Sequence, residues 1–385
     1  MEENLPKNYS KKIIYISLFY VAFILFDYLT KDILKSISMQ IFFSTDTTRC
    51  DYFIFSDYFE RGLKYLMYYI AYNYINIYTS FFMIFSETLS TFIVSNLKII
   101  LKELKPSLEY TEYPSCLTFN SYGTPSSTAC SLFLLFGIFY KAFNSKYKNK
   151  SFNFFTGLLW FLIVNYACLV KILQNSLYLN QVIYGYVIGY VLYYIFFNIC
   201  EIDFFNYSQF KFFLKFRWSI ILGSISIFIL NTFFQFIITK PYMNDNSNSF
   251  MNQNYLSQTI FFEFLGYYIG ILLEYLIIFK STDLFYFRYN IAEKNRDGIQ
   301  MFNHTKSDVS LFRLLLFCFS DYYLTVAIPI NIDFINCSSY SKLILSLPLF
   351  KRTLKGILLF FLLKYTIKYL GLTNEKINEG YFGLK

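Results

Sequence analysis

Three lysines and one run of hydroxyls are the residues whose types and spacing suit chemistry in this chain. Lys98 and Lys105 stand seven apart in Lys-Ile-Ile-Leu-Lys-Glu-Leu-Lys-Pro. A helix through them puts both ammonium groups on one face, and Pro106 is expected to stop it with Lys105 in its last turn. Ser126, Ser127 and Thr128 follow Pro125 and run directly into an apolar stretch. Proline near the first helical position with hydroxyls around it predicts a capped helix N-terminus, and such an end also attracts anions. Lys171 opens a polar interruption, with Gln174, Asn175, Asn180 and Gln181, between two apolar runs. Polar side chains at membrane depth face a protein interior or a watery cavity. Cations and hydroxyls around a helix end suit phosphate binding. Simpler readings stand beside this one: a snorkelling helix end, a plain cap and a short polar loop.

Phosphate cleavage needs a nucleophile and a proton donor, and few candidates exist. The chain has one histidine, His304, in a polar connector far from the three segments. Ser176, Cys130 and Tyr178 lie near them, but none has a base beside it in sequence. The seven cysteines (Cys50, Cys116, Cys130, Cys168, Cys200, Cys318 and Cys337) show no CxxC and no paired spacing. No zinc site, other metal or cofactor is expected, and the odd count argues against a disulfide framework. Glu274 and Asp321 are the main acidic residues inside apolar runs, which is what a transport path would need in greater number.

The elements that must position these residues are membrane helices. Hydrophobic residues make up 56% of 385 and charged residues 15%, with 49 Phe and 38 Tyr but 2 Trp. That is too apolar for a soluble domain. The apolar runs are long enough to cross a bilayer, which takes roughly 20 residues. Spans are predicted at about 13–30, 64–81, 82–101, 128–142, 154–173, 181–200, 217–239, 259–279, 311–330 and 341–366. The run 64–101 is also readable as one span with an interfacial helix. The first run follows Lys7, Lys11 and Lys12 without a small-residue cleavage site, and reads as a retained helix. The net charge of +9 gathers at span ends, as at Lys211, Lys215 and Arg217. That pattern fits positive-inside topology and anionic headgroups, whereas nucleic-acid binding needs a basic soluble domain. The loop 102–127 is long for a helix connection and carries Pro106, Pro114, Pro125, Glu103, Glu109 and Glu112.

In their order, the three segments resemble the type 2 phosphatidic acid phosphatase superfamily, and within it the dolichyl diphosphate phosphatases. The family pattern is Lys-x6-Arg-Pro, then Pro-Ser-Gly/Ser-His, then Ser-Arg-x5-His-x3-Asp. Lys98 to Pro106 is similar to the first, with Lys105 for Arg. Tyr-Gly-Thr-Pro-Ser-Ser at 122–127 is similar to the second, with Thr128 for His. Gln-Val-Ile-Tyr-Gly at 181–185 is similar to the third in the dolichyl branch. Counting back from Gln181 sets Leu177 at the second His, Lys171 at Arg and Val170 at Ser. The resemblance covers about residues 80–200.

The apolar runs imply an all-α, polytopic transmembrane bundle of about 8–10 spans, and the resemblance implies that it contains a six-helix phosphatase-like core. The organisation expected is an N-terminal helix and connector at 1–60, the core at 61–205, and additional membrane helices with polar connectors at 206–385. In the family, one histidine attacks phosphorus, the other protonates the leaving oxygen, and cations hold the phosphate without a metal. Here the resemblance implies a phosphate-binding set of Lys98, Lys105, Ser126, Ser127, Thr128 and Lys171 with no catalytic residue. The reading is a non-catalytic protein that binds a phospholipid or polyprenyl phosphate headgroup, or a structural subunit among other membrane proteins. An active, divergent lipid-phosphate phosphatase is the alternative. The endoplasmic reticulum is the membrane the resemblance favours, with the mitochondrial inner membrane as alternative.

Overall fold

The computed structural model describes residues 8–43, 60, 62–64, 66–68, 70–71, 75, 77–109, 122–146, 150–203, 215–239, 264–266, 268–269 and 272. The spans expected at 311–330 and 341–366, most of that at 259–279, and His304, Glu274 and Asp321 lie outside the described residues. So do Cys50, Cys116, Cys318 and Cys337.

The described helices are α1 (Asn8–Phe43), α2 (Ile77–Leu101), the short α3 (Pro106–Glu109), α4 (Ser127–Lys146), α5 (Lys150–Leu173), α6 (Leu179–Tyr194) with a π-helical turn at Ile195–Ile199, and α7 (Arg217–Thr239). No strand occurs among the described residues. Among the described residues, five helical stretches are long and apolar enough to cross a membrane: Tyr9–Ile41, Phe82–Leu101, Ser127–Ser145, Lys150–Leu173 and Leu179–Ile199. The chain is an all-α polytopic membrane protein, as only helices satisfy their own backbone in lipid at these lengths.

Two local expectations need correction. First, α2 passes the boundary drawn between residues 81 and 82 without a break. Its sequence holds neither Gly nor Pro, and Ser86 and Thr88 return their hydroxyls to the carbonyls of Phe82 and Ile84 at 2.7 and 3.0 Å. Second, α2 ends at Leu101, so Lys105 is not in its last turn. Lys102 takes a left-handed φ of 52°, which closes the helix one turn early. Pro106 disfavours helical geometry at Lys105 and instead opens α3.

The described residues fall into two compact units. One takes residues 60–64, α1, α2 from Leu89 onward, and α3 through the π-helical turn. Within it α1 and α6 run antiparallel, joined by Tyr15 on Tyr194 at 5.6 Å, Phe19 on Tyr190 at 5.2 Å and Phe23 on Tyr184 at 5.2 Å between ring centroids. α4 and α5 are also antiparallel, with Phe139 on Trp160 at 5.5 Å and Phe143 on Phe152 at 6.1 Å. α5 buries Asn153, Gly157, Val164, Cys168 and Lys171, a stripe at helical spacing. Its other face carries Phe154, Phe155, Leu159 and Leu162, all exposed, and α1 likewise exposes Leu18, Leu25 and Leu29. These faces suit lipid. The second unit holds the start of α2, α7 and residues near 268. There Phe264 packs on Phe85 at 5.3 Å and Tyr68 donates to the Glu87 carboxylate.

α4 and α6 run parallel at close range because Gly185 and Gly189 give up their side chains. A Cβ on Gly185 would lie 2.5 Å from the carbonyl oxygen of Ser126, and one on Gly189 2.9 Å from that of Cys130. Small residues four apart allow such backbone approach between membrane helices. Gly185→Val is expected to lower resistance to unfolding by about 1–3 kcal/mol through overpacking. Gly223→Val on α7, where nothing lies within 4 Å of the added carbon, is expected to leave it unchanged. Denaturant titration in detergent reads the contrast, and equal effects would contradict the close approach.

Candidate functional site

Four helix ends meet at one end of the first unit: the C-termini of α2 and α5 and the N-termini of α4 and α6. Gln181 ties them. Its backbone carbonyl accepts the Ser126 N–H at 2.9 Å, its Nε2 donates to the Leu104 carbonyl at 2.9 Å, and its Oε1 accepts the Tyr178 N–H at 3.1 Å. Gly123 lets the loop lie over this amide, since a Cβ there would sit 2.2 Å from Gln181 Nε2. The α5–α6 turn is tight, with Asn175 at a φ of 56°. α1 fixes the start of α6, as Ser38 Oγ accepts the Leu179 N–H at 2.8 Å.

Ser126 caps α4, so Pro125 precedes the helix instead of opening it. The Ser126 Oγ accepts the Ala129 N–H at 3.2 Å and the Ser126 carbonyl accepts Cys130 N–H at 3.1 Å. Its hydroxyl therefore works as a cap, and Ser127 opens the helix half-buried. Thr128 is buried, and its Oγ1 donates to Glu60 Oε2 at 2.8 Å. Lys98 and Lys171 occupy the last turns of α2 and α5 with only 5% and 8% of their surface exposed. Cations there complement the negative end of each helix dipole. Lys105 sits beyond α2, half-buried.

The centre of this arrangement is a residue that sequence reasoning missed. Glu60 Oε1 accepts an ion pair from Lys64 Nζ at 3.0 Å, with each side chain 15% exposed. Lys171 and Lys98 are the further cations acting on this carboxylate, and Lys98 also feels Lys105. Burial opposes ionisation of Glu60, but Lys64 and Lys171, with hydrogen bonds from Lys64 and Thr128, outweigh it and hold the carboxyl below its ordinary value. Thus Thr128 is bonded to the Glu60 carboxylate, Lys171 and Lys98 act on it electrostatically, Lys105 acts on Lys98, and Ser126 Oγ accepts in the α4 cap. The sequence signal for Glu60 is thin: a Glu-x3-Lys pair at the start of an apolar run, the i,i+4 spacing of a helical ion pair.

A second acidic centre braces the loop after α2. Glu103 meets Lys31 at 3.1 Å and Lys35 at 3.5 Å, accepts from Asn180 Nδ2 at 3.3 Å, and is bonded by the Thr124 hydroxyl. Lys35 also pairs with Glu109 at 3.3 Å, whose Oε2 accepts the Tyr178 hydroxyl at 3.0 Å. Tyr178 is thereby locked, with the Lys35 ammonium 4.8 Å from its ring centre. Cys130 is fully buried in α4. Ser176 Oγ is buried with no hydrogen-bond partner among the described residues. Leu177 is 7% exposed and packs with Ala129, Cys168, Ile172 and Val182.

Comparison with known proteins adds one finding. Residues 79–202 match the PAP2 superfamily. The match covers under a third of the chain and takes in the α2 C-terminus, the α4 cap and the α5–α6 turn. No curated protein and no solved structure matches. Glu60 and Lys64 fall outside the PAP2 segment, so the matched region receives its central carboxylate from chain that precedes it.

A lowered carboxyl value makes the unfolded chain bind more protons than the folded one, so stability rises with pH in that range. The contribution of Glu60 is fully present above its ordinary value of 4.5 and is lost as pH falls through the lowered value. Wild type is expected to lose stability below pH 4.5 more steeply than Glu60→Gln in detergent unfolding. Parallel profiles would contradict the assignment.

Proposed function

We propose that this integral membrane protein binds a lipid phosphate headgroup without hydrolysing it, on a scaffold like that of the type 2 phosphatidic acid phosphatases and nearest in motif to their dolichyl diphosphate branch. The ligand is a phospholipid or polyprenyl phosphate, held by Lys98, Lys105, Lys171, Thr128, Ser127 and Ser126. Residues 61–205 form the phosphatase-like core, flanked by an N-terminal helix with its connector and by additional helices from 206. The same chain serves as a subunit of a membrane assembly in the endoplasmic reticulum or, alternatively, the mitochondrial inner membrane.

The supporting observation is the surroundings of Leu177, the residue that the motif comparison sets at the attacking histidine. It lies among Ala129, Cys168, Ile172 and Val182 and offers no lone pair. Losing a nucleophile costs many orders of magnitude in rate. Retained cations without an attacker bind an anion and leave it intact.

One observation favours the active alternative. Thr128 donates its hydroxyl to a carboxylate at 2.8 Å, the geometry of a nucleophile beside a base. A carboxylate held below its ordinary value is a weak base, however.

Purified full-length protein is expected to retain phosphatidic acid over phosphatidylcholine in native mass spectrometry, with Lys98→Met weakening retention about tenfold by loss of a charge-assisted contact. Phosphate release from phosphatidic acid and dolichyl diphosphate is expected at background. Release that Thr128→Val and Glu60→Gln each abolish would overturn the reading in favour of a threonine-based phosphatase.

A further inference from the structure

We infer that the Glu60 carboxylate is a resident anion of the cation site, and that a phosphate group enters by displacing it from Lys64 and Thr128. The inference rests on the anion-binding reading above and adds a residue that governs access and affinity. Three observations carry it. Glu60 approaches the site from sequence outside the matched segment, 68 residues before Thr128, so it is an addition to the motif set. Its two oxygens are divided between a cation and a hydroxyl: Oε1 to Lys64 at 3.0 Å and Oε2 from Thr128 at 2.8 Å. Those are the donor types that hold phosphate oxygens. Lys171 and Lys98 complete the electrostatic surround.

Charge decides the competition. Lys64, Lys171 and Thr128 are the groups that an anion arriving at Glu60 meets first. A phosphate monoester carries more negative charge and more acceptor oxygens than a carboxylate, so it satisfies the same donors better once it arrives. While Glu60 remains in place, the two anions repel each other. The site therefore selects groups with enough charge to win the exchange, and phosphomonoester headgroups are favoured over singly charged phosphodiester headgroups.

The test compares wild type and Glu60→Gln, full length in detergent, with phosphatidic acid, phosphatidylglycerol and inorganic phosphate as probes. Removing the resident charge is expected to tighten phosphatidic acid binding about tenfold or more and to narrow its advantage over phosphatidylglycerol. Inorganic phosphate that gains equally identifies the phosphate group alone as the ligand, whereas a gain confined to phosphatidic acid adds the acyl chains to recognition. Unchanged or weaker binding by Glu60→Gln, with wild type still binding, overturns the displacement and leaves headgroup binding standing. No binding by either protein overturns both. Should Glu60→Gln fail to fold, the wild type alone is decisive. Adding phosphatidic acid is then expected to shift a carboxylate stretching band in the infrared difference spectrum of protein labelled with carbon-13 glutamate, and a silent carboxylate region overturns the inference.

Discussion

Ammonium groups gathered at the end of a membrane bundle must have counter-charge, because removing each ion from water costs several kcal/mol. Lys98 and Lys171 are almost wholly enclosed, and Lys64 is nearly so. Mutual repulsion would drive such side chains apart or out toward the surface. Glu60 answers this constraint by placing one carboxylate against Lys64, where it also acts electrostatically with Lys171 and Lys98. The dipoles agree in sign: two helix C-termini lie behind Lys98 and Lys171, and the α4 N-terminus presents Thr128 to the carboxylate.

The scaffold around that carboxylate is rigid for identifiable reasons. Gln181 spends its backbone carbonyl and both ends of its side-chain amide on three different segments, so the α2 exit, the α4 cap and the α6 start hold one another. Gly185 and Gly189 allow α6 to lie against α4 near van der Waals contact of backbone atoms. Glu103 and Glu109 fasten the loop after α2 to Lys31 and Lys35 of α1. Acidic groups thus appear in two roles. One set staples the loop to a helix, and the other, Glu60, faces the cations of the site.

The burial of Lys171 was legible in sequence, because it stands among polar residues at membrane depth, which face a protein interior; that of Lys98 was not, because a lysine at a helix end can equally snorkel outward. The hydroxyl cap on α4 was legible too, although the helix opens at Ser127 rather than Pro125, two positions later than proline placement suggests. The end of α2 was not. Leu101 ends the helix because Lys102 turns left-handed and the next two residues bond elsewhere, Glu103 to Gly123 and Leu104 to Gln181, all contacts made after folding. Glu60 was illegible for a related reason: it meets Thr128 across 68 residues, and no spacing rule joins them.

A double-mutant cycle between Glu60 and Lys171 addresses the central arrangement most directly. Unfolding free energies would be measured in detergent for wild type, Glu60→Gln, Lys171→Met and the double variant. If the carboxylate and the ammonium share one buried site, the two changes couple by about 0.5–3 kcal/mol, the double variant losing less than the sum. Effects that add within about 0.3–0.5 kcal/mol would mean that Glu60 and Lys171 act in separate surroundings, and the cation site built around Glu60 would be contradicted.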